Sequence, residues 1–118
     1  MKIQVLWILV ICGFVSLCEA DSALEVHRPF LKAHCFECHG PKKQKGEFRF
    51  DTLGTDLSEL HTLESWQGIL DQLNLGEMPP KKQPKPPFEE IARVIKGLTP
   101  VLQRAYAERK STGGQAVI

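Results

Sequence analysis

The sequence predicts a small all-α domain of three to four helices joined by long irregular loops. Two apolar stripes and the segment between them carry that prediction. Trp66, Ile69, Leu70 and Leu73 recur at i, i+3, i+4 and i+7, and Ile91, Val94, Ile95, Leu98, Val101 and Leu102 line a second helix. Between the stripes, GEMPPKKQPKPP is too rich in proline for a helix or a central strand and reads as a stiff extended loop. A chain of 118 residues has room for one such domain.

Residues 1–20 read as an export signal. Met1 and Lys2 make a short positive start, Val5 to Leu17 is an almost uninterrupted apolar run, and Ala20 is a small residue where a signal peptidase can cut. A membrane-spanning helix needs roughly 20 apolar residues. This run is shorter and ends in charge at Glu19 and Asp21, which disfavours an uncleaved anchor, and the bulky Leu17 disfavours a lipoprotein at Cys18. The expected destination is the periplasm or another exported location, with no membrane span after cleavage.

Cleavage changes the cysteine arithmetic, since Cys12 and Cys18 leave and only Cys35 and Cys38 remain. A bridge between cysteines three apart closes too small a loop to act as a structural staple. Losing Lys2 and Glu19 takes 15 basic and 14 acidic residues to 14 and 13. That balance argues for no nucleic acid or membrane partner.

Residues 21–108 form the domain. Ser22-Ala23-Leu24-Glu25 has the form of a capping box, so a helix is expected to start there. Leu24, His27, Phe30, Leu31 and His34 continue at helical spacing, and Pro29 kinks the helix or begins a second segment. Residues 40–56 read as an irregular loop with Phe48, Phe50 and Leu53 turned inward, and a short strand over Phe48 to Phe50 fits the alternation. Thr62 can cap the next helix, Leu63 to about Leu73, which Gly76 and Pro79 stop. The last helix runs from about Phe88 to Glu108, with Gly97 and Thr99-Pro100 as points of bending or splitting. Residues 109–118, which include STGGQAVI, have the composition of a linker.

The chemistry lies in HCFECHG at residues 34–40. Cysteines at i and i+3 with histidine at i+4 fall on one face of a helical turn, so Cys35 and Cys38 can reach the two vinyl groups of a porphyrin while His39 rises to its iron. C-x-x-C-H is the haem-attachment string, and an export signal agrees with c-type haem attachment outside the cytoplasmic membrane. Met78, 39 residues after His39 and followed by Pro79 and Pro80, is the expected sixth ligand; His/Met ligation raises the reduction potential relative to bis-histidine ligation. His34 is expected to point away from the ring, His27 to be a helix-face residue, and His61 to be a cap residue or an alternative ligand. Zinc on Cys35 and Cys38 lacks a second, distant ligand pair, and a thioredoxin-like dithiol lacks its βαβ setting.

The strings HRPFLKAHCFECHGPKKQKGEFRFDTL and LDQLNLGEMPPKKQPKP resemble the planctomycete-type cytochrome c domain, a haem-c module at the N-terminus of large exported proteins. The resemblance covers roughly residues 26 to 105. It implies a small cytochrome c-like fold wrapped around one covalent haem, with Cys35 and Cys38 binding the haem, His39 as proximal ligand and Met78 as distal ligand. Glu47 and Phe48 depart from the glycine and leucine often carried there, which bears on the loop path. RKSTGGQAVI is similar to the linker that precedes further domains in larger members.

The expected function is therefore single-haem electron transfer, with no catalysis by this chain itself, as a carrier or as the electron-entry module of a larger oxidoreductase. Lys42, Lys43 and Lys45 beside the attachment site and Lys81, Lys82 and Lys85 beside the methionine loop would steer an acidic redox partner protein. Arg49 and Trp66, both donor-only side chains, are weaker candidates to bind the haem propionates; Trp66 serves equally as core. Two alternatives stay open: a haem sensor or weak peroxidase with an open sixth site, and a zinc-binding structural module if no haem is attached.

Overall fold

A computed structural model describes residues 19–112. The expected leader falls outside this range except for its last two positions, and the tail falls outside it from residue 113. Within the range the chain is all-α, with α1 at Glu19–Glu25, α2 at Arg28–His34, α3 at Leu60–Leu75 and α4 at Phe88–Ser111, plus a 3-10 turn at Lys45–Glu47.

α1 and α2 are separate segments, as Pro29 foreshadowed. The α1 turn closes with His27 N–H donating to the Leu24 carbonyl at 3.0 Å. Pro29 then sits in the first turn of α2, where a missing N–H breaks no helical bond. The capping box at Ser22 does not form. The chain is already helical from Glu19, so Ser22 lies inside α1, and the Glu25 carboxylate pairs with Arg28 through two bonds of 2.8 Å instead of reaching back.

α3 starts earlier than expected, with Glu59 in extended conformation as its N-cap. Thr62 is buried inside the first turn and caps nothing. The C-terminus follows the sequence: Gly76 adopts φ 68°, its N–H bonds the Leu73 carbonyl and the Glu77 N–H bonds the Gln72 carbonyl, each at 3.2 Å. This is the paired 5→2 and 6→1 closure that a left-handed residue permits.

α4 passes through Pro100 without breaking. The proline forfeits one backbone bond, a cost of about 3 kcal/mol. Leu98 and Leu102, fully buried on either side of it, each contribute roughly 1.5–3 kcal/mol and hold the helix against its neighbours. Glu89 and Glu90 in the first turn and Arg109 and Lys110 in the last complement the helix dipole.

α3 packs on α4, and α1 packs across α4. Leu24, Leu31, Leu63, Trp66, Leu98 and Leu102 are the largest fully buried side chains of this core. His27 is buried against Gly97, where an added Cβ would meet the imidazole at 2.6 Å. In the long loop Leu53 is buried and Phe50 partly so, but Phe48 is 55% exposed. The strand expected over Phe48 to Phe50 does not form. Its amides are spent locally, Phe48 N–H on the Lys45 carbonyl and Phe50 N–H on the His39 carbonyl, and among the described residues the His39–Gln44 pair is an isolated bridge. No described helix is long and apolar enough to cross a membrane.

Candidate cofactor site

α2 delivers the two cysteines and the histidine on a continuing turn. Cys35 N–H bonds the Leu31 carbonyl at 2.8 Å, and the Cys35 carbonyl in turn accepts from Cys38 N–H at 3.2 Å and His39 N–H at 2.9 Å. The i, i+3, i+4 register expected from the sequence is thus present in the backbone. Both cysteines are free thiols. Burial, with a smaller contribution from Cys38, pushes the Cys35 thiol up to about 11, so it stays protonated and slow to oxidise.

Directly after His39 the chain doubles back. A Cβ on Gly40 would sit 2.1 Å from the Phe36 carbonyl oxygen, so only glycine fits. Gly40 N–H bonds the Lys43 carbonyl at 2.8 Å, Lys45 N–H bonds the Cys38 carbonyl at 2.9 Å, and Phe50 N–H bonds the His39 carbonyl at 2.8 Å. The loop is therefore tied to the attachment turn at both ends.

His39 gains its surroundings from that loop. Its Nδ1 lies 3.2 Å from the Phe48 carbonyl oxygen. A carbonyl only accepts, so Nδ1 carries the proton and donates, leaving the Nε2 lone pair for a metal. The ring packs against Phe50 at 4.9 Å and, edge to face, against Phe48 at 6.5 Å. A backbone acceptor leaves no side-chain signature, which is why sequence reasoning missed the Phe48 carbonyl; the aromatic pair flanking Arg49 was the available signal.

Met78 lies on the connection between α3 and α4, 39% exposed, with Pro79 and Pro86 buried on its own loop. Among the described residues no hydrogen bond or ion pair joins it to the attachment turn. Arg49 donates to Asp51 through bonds of 2.7 and 2.9 Å; this raises the guanidinium and holds the carboxyl below its ordinary range. Trp66 is fully buried and its indole N–H donates to the Gly54 carbonyl at 2.8 Å, which makes it a core residue with a satisfied donor. His34 faces Glu90 at 3.4 Å, and His61 is exposed in the first turn of α3. Among the described residues no group of three or more His, Cys, Asp or Glu side chains gathers as a metal site. The zinc alternative therefore finds no ligand set there.

Residues 35–82 match the family model described as planctomycete cytochrome C. This stretch carries a planctomycete-type cytochrome c domain. The matched segment takes in Cys35, Cys38, His39 and Met78 and ends within the proline-lysine loop. Cytochrome c domains bind haem and transfer electrons, and the match suggests that class of function for the segment. No curated protein and no solved structure matches the chain.

The residues present fit such a group. The cytochrome c segment offers two free thiols one turn apart and an imidazole whose Nδ1 is already spent on a carbonyl. It also leaves the ring of Phe48 and the thioether of Met78 exposed, apolar surface that a bound cofactor would cover.

Proposed function

We propose that the protein is an exported, single-haem c-type electron-transfer module. Cys35 and Cys38 would hold the haem as thioethers, His39 Nε2 would bind its iron, and Met78 would supply the sixth ligand. When bound, the group supplies a one-electron iron couple. The chain's own work is to hold it, order the proximal imidazole and surround it with apolar side chains. The observation that carries the reading is the His39 Nδ1 contact with the Phe48 carbonyl, because it leaves Nε2 free for a metal beside two unbridged thiols.

The basic residues Lys42, Lys43, Lys45, Lys81, Lys82 and Lys85 are all exposed or partly so, on the two loops that carry His39 and Met78. They favour an acidic redox partner protein, whose association would slow as salt rises. The exposure of Met78 supports a second reading, a haem site whose sixth position opens to small ligands.

Expression of residues 1–118 in a bacterial host with a c-haem maturation system tests the proposal. Haem that survives denaturation and acidic acetone, with a c-type band in reduced pyridine, is the expected result. A mass equal to the bare chain refutes it. Carbon monoxide shifting the Soret band of the reduced protein favours the open-site reading over Met78 ligation.

A further inference from the structure

The turn that supplies the Phe48 carbonyl has an unusual backbone. Lys45 N–H is anchored to the Cys38 carbonyl and Phe50 N–H to the His39 carbonyl, so only residues 46–49 remain to reverse the chain and present an acceptor to Nδ1. Gly46 (φ 66°, ψ 16°) and Glu47 (φ 66°) do this as two consecutive left-handed residues. Phe48 then returns to extended geometry (φ −93°, ψ 133°). Glycine takes such a conformation freely, whereas a residue with a Cβ pays roughly 1–2 kcal/mol. A glutamate held there is over-determined by its neighbours. Glu47 N–H bonds the Gln44 carbonyl at 2.9 Å and Phe48 N–H the Lys45 carbonyl at 3.3 Å. A Cβ on Gly46 would come 3.3 Å from the Phe48 ring, the same ring that packs on His39.

We propose that the left-handed pair Gly46–Glu47 is the positioning device for His39: it aims the Phe48 carbonyl at Nδ1 and thereby sets the tautomer, orientation and basicity of the imidazole. The proposal rests on the reading of His39 as a haem ligand. A hydrogen bond from Nδ1 to a carbonyl raises the basicity of Nε2, which favours oxidised iron and lowers the reduction potential. Glu47 contributes through its backbone angle, not its charge. Substitutions at 47 should therefore rank by their tolerance of positive φ.

The test is a series at one position in the haem-loaded protein: Glu47→Gly, Glu47→Asn, Glu47→Thr and Glu47→Val, with Gly46→Ala as a second way to strain the turn. Glu47→Gly and Glu47→Asn keep the wild-type potential and a slowly exchanging His39 Nδ1 proton in the reduced protein. Glu47→Thr, Glu47→Val and Gly46→Ala raise the potential and speed that exchange. For Glu47→Val the expected change is about tenfold in the electron-exchange equilibrium against a fixed partner, or 59 mV for one electron. A merely structural turn would change the unfolding midpoint and leave potential and proton exchange where they were; that outcome overturns the proposal. If Glu47→Val does not fold, Glu47→Thr and Gly46→Ala decide by the same two readouts. Failure of the wild type itself to retain haem refutes the functional reading instead, and the pyridine assay on each variant keeps the two failures apart.

Discussion

The imidazole of His27 turns its Cε1–Nε2 edge to Gly97 of α4, a helical position with no side chain to exclude it. A Cβ there would approach the ring carbon at 2.6 Å and Nε2 at 2.7 Å, well inside contact distance. His27 is buried at this crossing, and among the described residues its Nε2 has no hydrogen-bond partner.

Gly97→Ala is expected to destabilise despite improving helix propensity. Overpacking costs about 1–3 kcal/mol, against a gain of about 1 kcal/mol for replacing glycine within a helix. Urea unfolding should show a lower midpoint at unchanged slope. Combining it with His27→Ala should recover much of the loss, since the clash needs both groups. Additive effects in that cycle would show that the two positions do not touch.

Burial holds the His27 imidazole below its ordinary value. A histidine with a lowered folded-state pKa binds fewer protons folded than unfolded, so stability rises with pH. The contribution is fully present above about pH 6.5 and is lost as pH falls below it. Glu25, Asp51 and Asp56, all held low by hydrogen bonds and in two cases an arginine, lose their contributions only below about pH 4.5. Unfolding midpoints between pH 7 and 5 should fall in the wild type and flatten in His27→Gln. His34, Glu90 and Arg93 line the same groove, so Glu90→Gln is the control that removes the carboxylate lining it. An equal slope in His27→Gln would assign the pH dependence elsewhere.

Trp66→Phe should cost about 1–3 kcal/mol. The substitution removes the N–H that satisfies the Gly54 carbonyl and opens a small gap in a fully buried site. If the haem spectrum is unchanged while thermal stability drops, the indole is core; a changed reduction potential would return it to the list of cofactor contacts.

Arg28 and Glu25 form an exposed ion pair, yet the two ends are not equivalent. Arg28 also donates to the Leu53 carbonyl at 2.9 Å, tying the long loop to α2. Arg28→Ala should lower stability by about 1 kcal/mol and speed amide exchange around Leu53. Glu25→Ala should be nearly neutral, as exposed pairs generally are. Equal effects would mean that the tether to Leu53 carries no weight.

Met78→His should leave haem attached and lower the reduction potential, since bis-histidine ligation sits below His/Met. An unchanged potential would show that residue 78 is not on the iron.

The helical stripes of α3 and α4 were readable because burial on one face imposes a period, and Gly76 because positive φ has few tenants. The register of Cys35, Cys38 and His39 was readable for a similar reason, being set within one turn. Helix starts were not. Ser22 and Thr62 look like caps in isolation, but Ser22 lies within a turn already formed and Thr62 was claimed by the core. Nor was the Phe48 carbonyl readable, since it serves His39 through backbone that any residue type could supply. Phe48 was expected inside and is exposed, its ring set beside those of His39 and Phe50.

The helix crossing at Gly97 also has an order in time. Synthesis proceeds from the N-terminus, and Gly97 lies 62 residues downstream of Cys35. α1 reaches its place only when α4 has been made, while α3 and α4, neighbours along the chain, can pair by themselves. The newborn chain therefore carries its thiols for a long stretch of elongation before the helix that closes over α1 exists. Until α4 docks, the face of α1 that packs on it stays uncovered.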